Sequence, residues 1–270
     1  GAVARGRLYF VRETTLLAQA FDSRTLTVSG DPVPVAEGVW RNLNTDGLTA
    51  FSVAEDGTLA YRGGGLLQGQ LTWRGRQGRP LGAVGPPGIL VGMDLSPDDR
   101  RVLAEIVDPV RDTSALFVLD GATGMTTRVS FGTGNQVAGL YSPDGRQIAF
   151  SWDAQGPFDL FRREVGSAGE PTPLLVNGVW KYPESWSPDG RQLVLSLSRD
   201  GGTQLFSMGR DGSGLKRLTQ SNAIDTEASF APDGRSIYFV SDRGGGPQVY
   251  RMASAGGNAD RVTFAGSYNI

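Results

Sequence analysis

Whatever chemistry this chain does, it does without two of the most versatile side chains. Its 270 residues include no histidine and no cysteine. A Ser-His-Asp triad, a histidine base, a thiolate nucleophile and any His- or Cys-ligated metal are excluded. Carboxylates, phenols, indoles, amides and cations remain, and they gather in five short stretches: 40–46, 132–136, 180–184, 222–227 and 268–269. The candidate ligand-binding residues there are Trp40, Arg41, Asn44, Asp46, Gln136, Trp180, Lys181, Tyr182, Glu184, Asp225, Glu227 and Tyr268. Aromatic faces beside charged and amide groups suit a polar or sugar-like site, and equally a protein-binding patch. No catalytic residue, cofactor or metal is assigned.

Two readings stay open for several of these residues. Trp40 and Trp180 each follow a Gly-Val pair, so they take equivalent places, capping a boundary between repeats or forming an open platform. Asp225 and Glu227 alternate, which on a plain extended strand points both the same way. With Glu184 and Asp46 they would make an acidic mouth; otherwise they are solvated or bonded to backbone. Paired carboxylates can hydrolyse glycosides, but no local signature selects a pair. Asp242-Arg-Gly-Gly-Gly lacks EF-hand spacing, and Gly63–Gly65 opens no helix that could cradle phosphate.

The elements that must position these residues come from a repeat. Ser142-Pro-Asp-Gly-Arg returns as Ser187-Pro-Asp-Gly-Arg, Ala231-Pro-Asp-Gly-Arg and Ser96-Pro-Asp-Asp-Arg, with a degenerate Ala54-Glu-Asp-Gly. The turn aspartates stand at 56, 98, 144, 189 and 233, giving steps of 42, 46, 45 and 44 residues. That period predicts propeller blades. Pro presets φ, Asp suits the next position, and Gly takes the left-handed site after it. Asp99 replaces that Gly once, and Asp tolerates φ > 0. The recurrence marks these aspartates as turn builders rather than chemistry. Gly6 lies 51 residues before Gly57, a sixth repeat with a longer connection.

The expected fold is all-β: a six-bladed propeller of four-stranded antiparallel blades, one domain over 1–270. The blades fall at about 1–40 plus 267–270, 41–86, 87–133, 134–178, 179–220 and 221–266. The N-terminus offers no clear inner strand, so Tyr268–Ile270 is expected to supply it and close the ring. Thirty-nine glycines and 15 prolines suit many short strands and tight turns. A net charge of −2 with interspersed signs leaves no basic stripe for nucleic acid. No apolar run nears the roughly 18 residues of a membrane span, and Gly1–Gly6 is unlike a signal peptide. A soluble monomer binding a small ligand or protein at its open face is expected, with no membrane insertion by the domain itself.

The Pro-Asp-Gly turns, with 240–250 and 261–269, resemble the TolB-like, PD40 group of WD40-like propellers. Residues 8–22, 30–37, 70–74 and 78–85 resemble the propeller that follows the kinase in bacterial receptor-type Ser/Thr protein kinases. The resemblance implies an extracytoplasmic sensor or interaction module. The chain has no kinase motifs of its own. A carbohydrate-active enzyme and a purely structural scaffold are the alternatives.

Overall fold

In a computed structural model of the chain, residues 2–12, 14–39, 51–54, 58–61, 68–154, 156–199 and 201–264 are described. All 23 regular elements are strands. Two compact units are distinguishable, Gly1–Gly69 with Asp108–Asp112, and Gln70–Val107 with Thr113–Ile270.

In the first unit, β1 (Ala2–Ala4), β2 (Arg7–Arg12), β3 (Thr15–Asp22) and β4 (Thr27–Ala36) form an antiparallel sheet in chain order. Ala2–Ala4 thus gives β2 an inner neighbour where the sequence suggested none. The expected closing segment, Tyr268–Ile270, lies outside the described residues. Pro32 and Pro34 sit on β4, the sheet's edge, where a missing N–H is tolerated. β5 (Phe51–Val53) and β6 (Leu59–Tyr61) make a short hairpin.

The second unit opens with β7 (Gly69–Arg74), β8 (Pro80–Leu95), β9 (Arg101–Asp108), β10 (Thr113–Asp120) and β11 (Thr126–Arg128) in a five-stranded sheet. β8 runs unbroken through 86 and 87, where one blade was expected to end and the next to begin, because Pro86 and Pro87 favour extended backbone. Three four-stranded sheets follow. They are β12 (Gln136–Tyr141), β13 (Gln147–Trp152), β14 (Asp159–Glu164), β15 (Thr172–Leu175); β16 (Lys181–Trp186), β17 (Gln192–Arg199), β18 (Gly202–Gly209), β19 (Lys216–Arg217); and β20 (Asp225–Phe230), β21 (Ser236–Ser241), β22 (Gln248–Ala253), β23 (Ala259–Arg261).

The repeated turns join β8 to β9, β12 to β13, β16 to β17 and β20 to β21. Ser96, Ser142 and Ser187 Oγ donate to Asp98, Asp144 and Asp189 Oδ1 at 2.5, 2.6 and 2.6 Å. Gly145, Gly190 and Gly234 take φ of 67–69°, and Asp99 takes 56° in their place. Neighbouring turns stack: a Cβ on Gly145, Gly190 or Gly234 would touch Pro97, Pro143 or Pro188 at 3.5–3.6 Å. The core lies between sheets. Leu160 and Leu174 pack with Leu195, Phe206 and Met208; Leu205 and Leu218 pack with Phe239 and Met252. Each such side chain contributes about 1.5–3 kcal/mol on burial.

Candidate functional site

Four inner strands share one irregularity. Each holds an extra residue against its partner: between Leu90 and Gly92 on β8, Val137 and Leu140 on β12, Pro183 and Ser185 on β16, and Thr226 and Ser229 on β20. Relative to the turn, the four bulges fall within a few residues of one another, each containing or adjoining the same position. Gly92, Ala138, Pro183 and Glu227 all stand four residues before the turn's first residue. Ala138 and Glu227 take positive φ of 52° and 54°, uncommon without glycine. A bulge bends its strand and re-aims side chains. Here the four bulges line one cavity of about 460 Å³, with Met93, Glu105, Tyr182, Glu184, Thr226 and Glu227 among its walls and, among the described residues, no Lys or Arg.

Carboxylates brace the bulges. Glu184 Oε2 accepts from Ala228 N at 3.3 Å, and Oε1 accepts from Thr226 Oγ1 at 3.4 Å. Glu105 Oε2 accepts from Ala138 N at 3.1 Å. In both cases a glutamate of one sheet satisfies backbone N–H in the bulge of the next, a group that burial would make costly to leave unpaired. Burial pushes Glu184 up to about 7, the nearby Glu227 charge adds to this, and bonds from Ser196, Ala228 and Thr226 oppose it. Burial also raises Glu105, against its bond from Ala138 N. The Tyr182 hydroxyl is pushed up to about 12, mostly by burial and further by Glu105 and Asp153. A second row of latches lies nearer the turns. Asp94 Oδ2 accepts from Tyr141 N at 2.7 Å, and Ser185 Oγ from Phe230 N at 3.0 Å.

Of the candidates drawn from the sequence, Tyr182, Glu184 and Glu227 meet in this cavity. Gln136, Lys181 and Asp225 do not line it. They occupy one equivalent position, six residues before the first residue of each turn, and all three are fully buried. The Lys181 ammonium pairs with the Asp159 carboxylate. Asp225 accepts from Arg243 Nη2 and Ser221 Oγ, both at 2.8 Å, with Arg243 lying over the Phe239 and Tyr250 rings. Neither end of the Gln136 amide has a partner among the described residues. Alternation therefore fails for Asp225 and Glu227: the intervening bulge sends one into an ion pair and the other into the cavity. Trp180 is half-exposed, edge-on to Phe158 at 5.2 Å, and Phe158 also contacts Tyr182 at 5.6 Å. Trp40, Arg41, Asn44, Asp46 and Tyr268 lie outside the described residues. Sequence reasoning missed Glu105 and Phe158. A lone acid within the apolar run Val102–Val107 was the available signal for the first.

Comparison with known proteins bears on the fold. Residues 176–270 match the TolB beta propeller domain family, PD40. The structure of a putative TolB from Agrobacterium tumefaciens aligns with a TM-score of 0.61 at 26% identity, over 69% of this chain and 65% of that one. TolB from Acinetobacter baumannii aligns with a TM-score of 0.58 at 15% identity, over 95% and 67%. The chain has a TolB-like, PD40-type β-propeller fold. An uncharacterized Agrobacterium fabrum protein, Atu1656, is 31% identical over 127 residues, 47% of this chain. The TolB-like chain spans 42% of that relative's length. Among the described residues, no helix is long and apolar enough to cross a membrane, and no group of three or more Asp or Glu is placed to hold a metal ion.

Proposed function

We propose that this TolB-like propeller is a non-catalytic binding module that receives part of a protein partner in the cavity between β8, β12, β16 and β20. One observation carries the reading: four bulged strands turn Tyr182, Glu184 and Glu227 toward a space that also holds Glu105 and, among the described residues, no cation. Its complement is a basic side chain beside an apolar stem, since opposite potentials steer and register partners. The likeness to TolB supports a protein as partner. The motifs at 8–22, 30–37, 70–74 and 78–85 support an extracytoplasmic sensor or interaction module of a receptor-type Ser/Thr kinase.

Calorimetric titration with tetralysine tests this reading. Saturable, salt-sensitive binding that weakens about tenfold in Glu227→Gln is expected. Equal binding of tetralysine and tetraglutamate, or none by either, would overturn it. A second reading, a carbohydrate-active enzyme, is favoured only by Glu184, whose raised proton affinity beside Glu227 resembles an acid paired with a carboxylate. Turnover of an oligosaccharide, lost in Glu184→Gln, would establish it instead.

A further inference from the structure

The outer boundary between sheets β7–β11 and β12–β15 departs from the two boundaries that follow it. On β18, Met208 lies opposite Leu193; on β22, Met252 lies opposite Ile237. Both are buried, packed with Leu174 and Leu218 near the preceding sheet's outer edge. Register puts Arg163, opposite Ile148, in the same place on β14. Only 8% of Arg163 is exposed, and its hydrogen bonds among the described residues go to Ser167 O, from Nε at 3.2 Å and Nη2 at 2.7 Å. A guanidinium therefore stands where the next two sheets bury a thioether, and no carboxylate among the described residues pairs with it.

The following turn differs too. Gly212 and Gly256 press against the preceding sheet: a Cβ there would stand 2.7 Å from Leu174 O or 3.1 Å from Leu218 O. Ser167 takes their place, because the N–H of each of the three donates to the carbonyl three residues back. Ser167 brings the Cβ for which that approach has no room. The loop is also longer, since Arg162 pairs with Thr172, ten residues on, whereas Ser207 pairs with Lys216 and Arg251 with Asp260, nine on. The boundary holds a cavity of about 400 Å³, walled by Val129, Ile148 and Val165. The Phe131 ring lies in its wall, 53% exposed, with Arg163 5.3 Å and Arg128 5.8 Å from its centroid. Arg128 Nε donates to Ser130 O at 2.7 Å. Each guanidinium carries five N–H donors, so both keep unused ones. Glu164 also lines the cavity, and its carboxylate accepts from Gln147 Nε2 at 2.6 Å. A cleft at the boundary between β16–β19 and β20–β23 is bordered by Lys216, Arg217 and Arg243, but Arg243 is already paired with Asp225 and Met252 is buried.

We propose that the Arg128–Phe131–Arg163 cavity binds a small organic acid: one carboxylate on an apolar body of aryl-alkanoate size. A buried, unpaired guanidinium is costly until an anion meets it. Its planar fork matches a carboxylate. Phe131 and the aliphatic walls would take the apolar body, and the volume falls in the range of small-ligand pockets.

The test is calorimetric titration of the whole chain with 3-phenylpropionate, its neutral amide and acetate. Saturable binding of 3-phenylpropionate is expected, at least about tenfold tighter than either control, because one charged hydrogen bond is worth about that factor. Arg163→Met, which installs the residue of the next two sheets, should keep the fold and abolish binding; Arg128→Gln, at the rim, should weaken it several-fold. If Arg163→Met does not fold, Arg128→Gln decides alone. Equal binding of acid and amide, no saturation by 3-phenylpropionate, or unchanged binding in a folded variant would overturn the proposal and leave Arg163 as a stacking partner of Phe131.

Discussion

The two ends of each inner strand are built on opposite plans. At the turn end, three sheets place the same Ser Oγ against the same Asp Oδ1 within 0.1 Å of one another. At the other end all four strands bulge within a few residues of one another, yet the fillings differ. Ala138 and Glu227 lie inside their bulges, whereas Gly92 and Pro183 flank theirs; Leu90, Gln136, Lys181 and Asp225 stand two residues earlier. The repeated end fixes the geometry, and the varied end is free to carry chemistry. Mutations should therefore act alike at the turns and unlike at the bulges.

The sharpest contrast is expected at the buried position six residues before each turn. Asp225→Ala strands Arg243 and should cost about 3 kcal/mol in chemical denaturation, since breaking a buried pair leaves a charge uncompensated. Lys181→Met should cost a similar amount through Asp159. Gln136→Leu should be neutral or stabilising by about 1 kcal/mol, because it removes a buried amide without partners. Equal losses at all three would break the contrast.

Next in size is a pH effect specific to the bulge braces. Glu184 is raised in the fold from the ordinary glutamate value of 4.5 to about 7. The folded state then holds its proton more tightly than the unfolded one. The stability this confers is complete below the unfolded value and is lost as pH climbs through the window between about 4.5 and 7. Denaturation midpoints at about pH 5 and pH 8 should differ more in the wild type than in Glu184→Gln. An equal difference in both would remove Glu184 from the account.

Turn substitutions should be smaller and uniform. Ser142→Ala and Ser187→Ala should each cost about 1 kcal/mol, agreeing within a few tenths. The least effect is expected from Arg210→Gln. Arg210 Nη1 and Nη2 donate to Asp144 at 2.8 and 3.2 Å and hold its carboxyl well below the usual range. The pair is part-exposed, so its loss should cost at most about 1 kcal/mol and fade in high salt.

The turns, most strand positions and the mixed β-rich blades were legible because their causes are local. Pro sets φ, Asp reaches an N–H two residues on, and Gly accepts the left-handed site, all within six residues. Part of the candidate site was legible too: Tyr182, Glu184 and Glu227 do share a cavity. The reading of Asp225 and Glu227 failed because period-two logic assumes an unbroken ladder, and nothing in Asp225-Thr-Glu-Ala-Ser announces a bulge. Arg163 was equally opaque. In Leu160-Phe-Arg-Arg it looks like a surface charge, and only register against Met208 and Met252 reveals a core position.

The sequence by itself determined that the chain would repeat, where it would turn and that its sheets would be antiparallel. Tertiary structure alone decided which carboxylates brace and which stand free. Glu184 meets Ala228 and Glu105 meets Ala138 across 44 and 33 residues of chain. A turn is specified by neighbours in sequence, whereas a brace is specified by a neighbour in space, in the next sheet, where a bulge has freed an N–H to receive it.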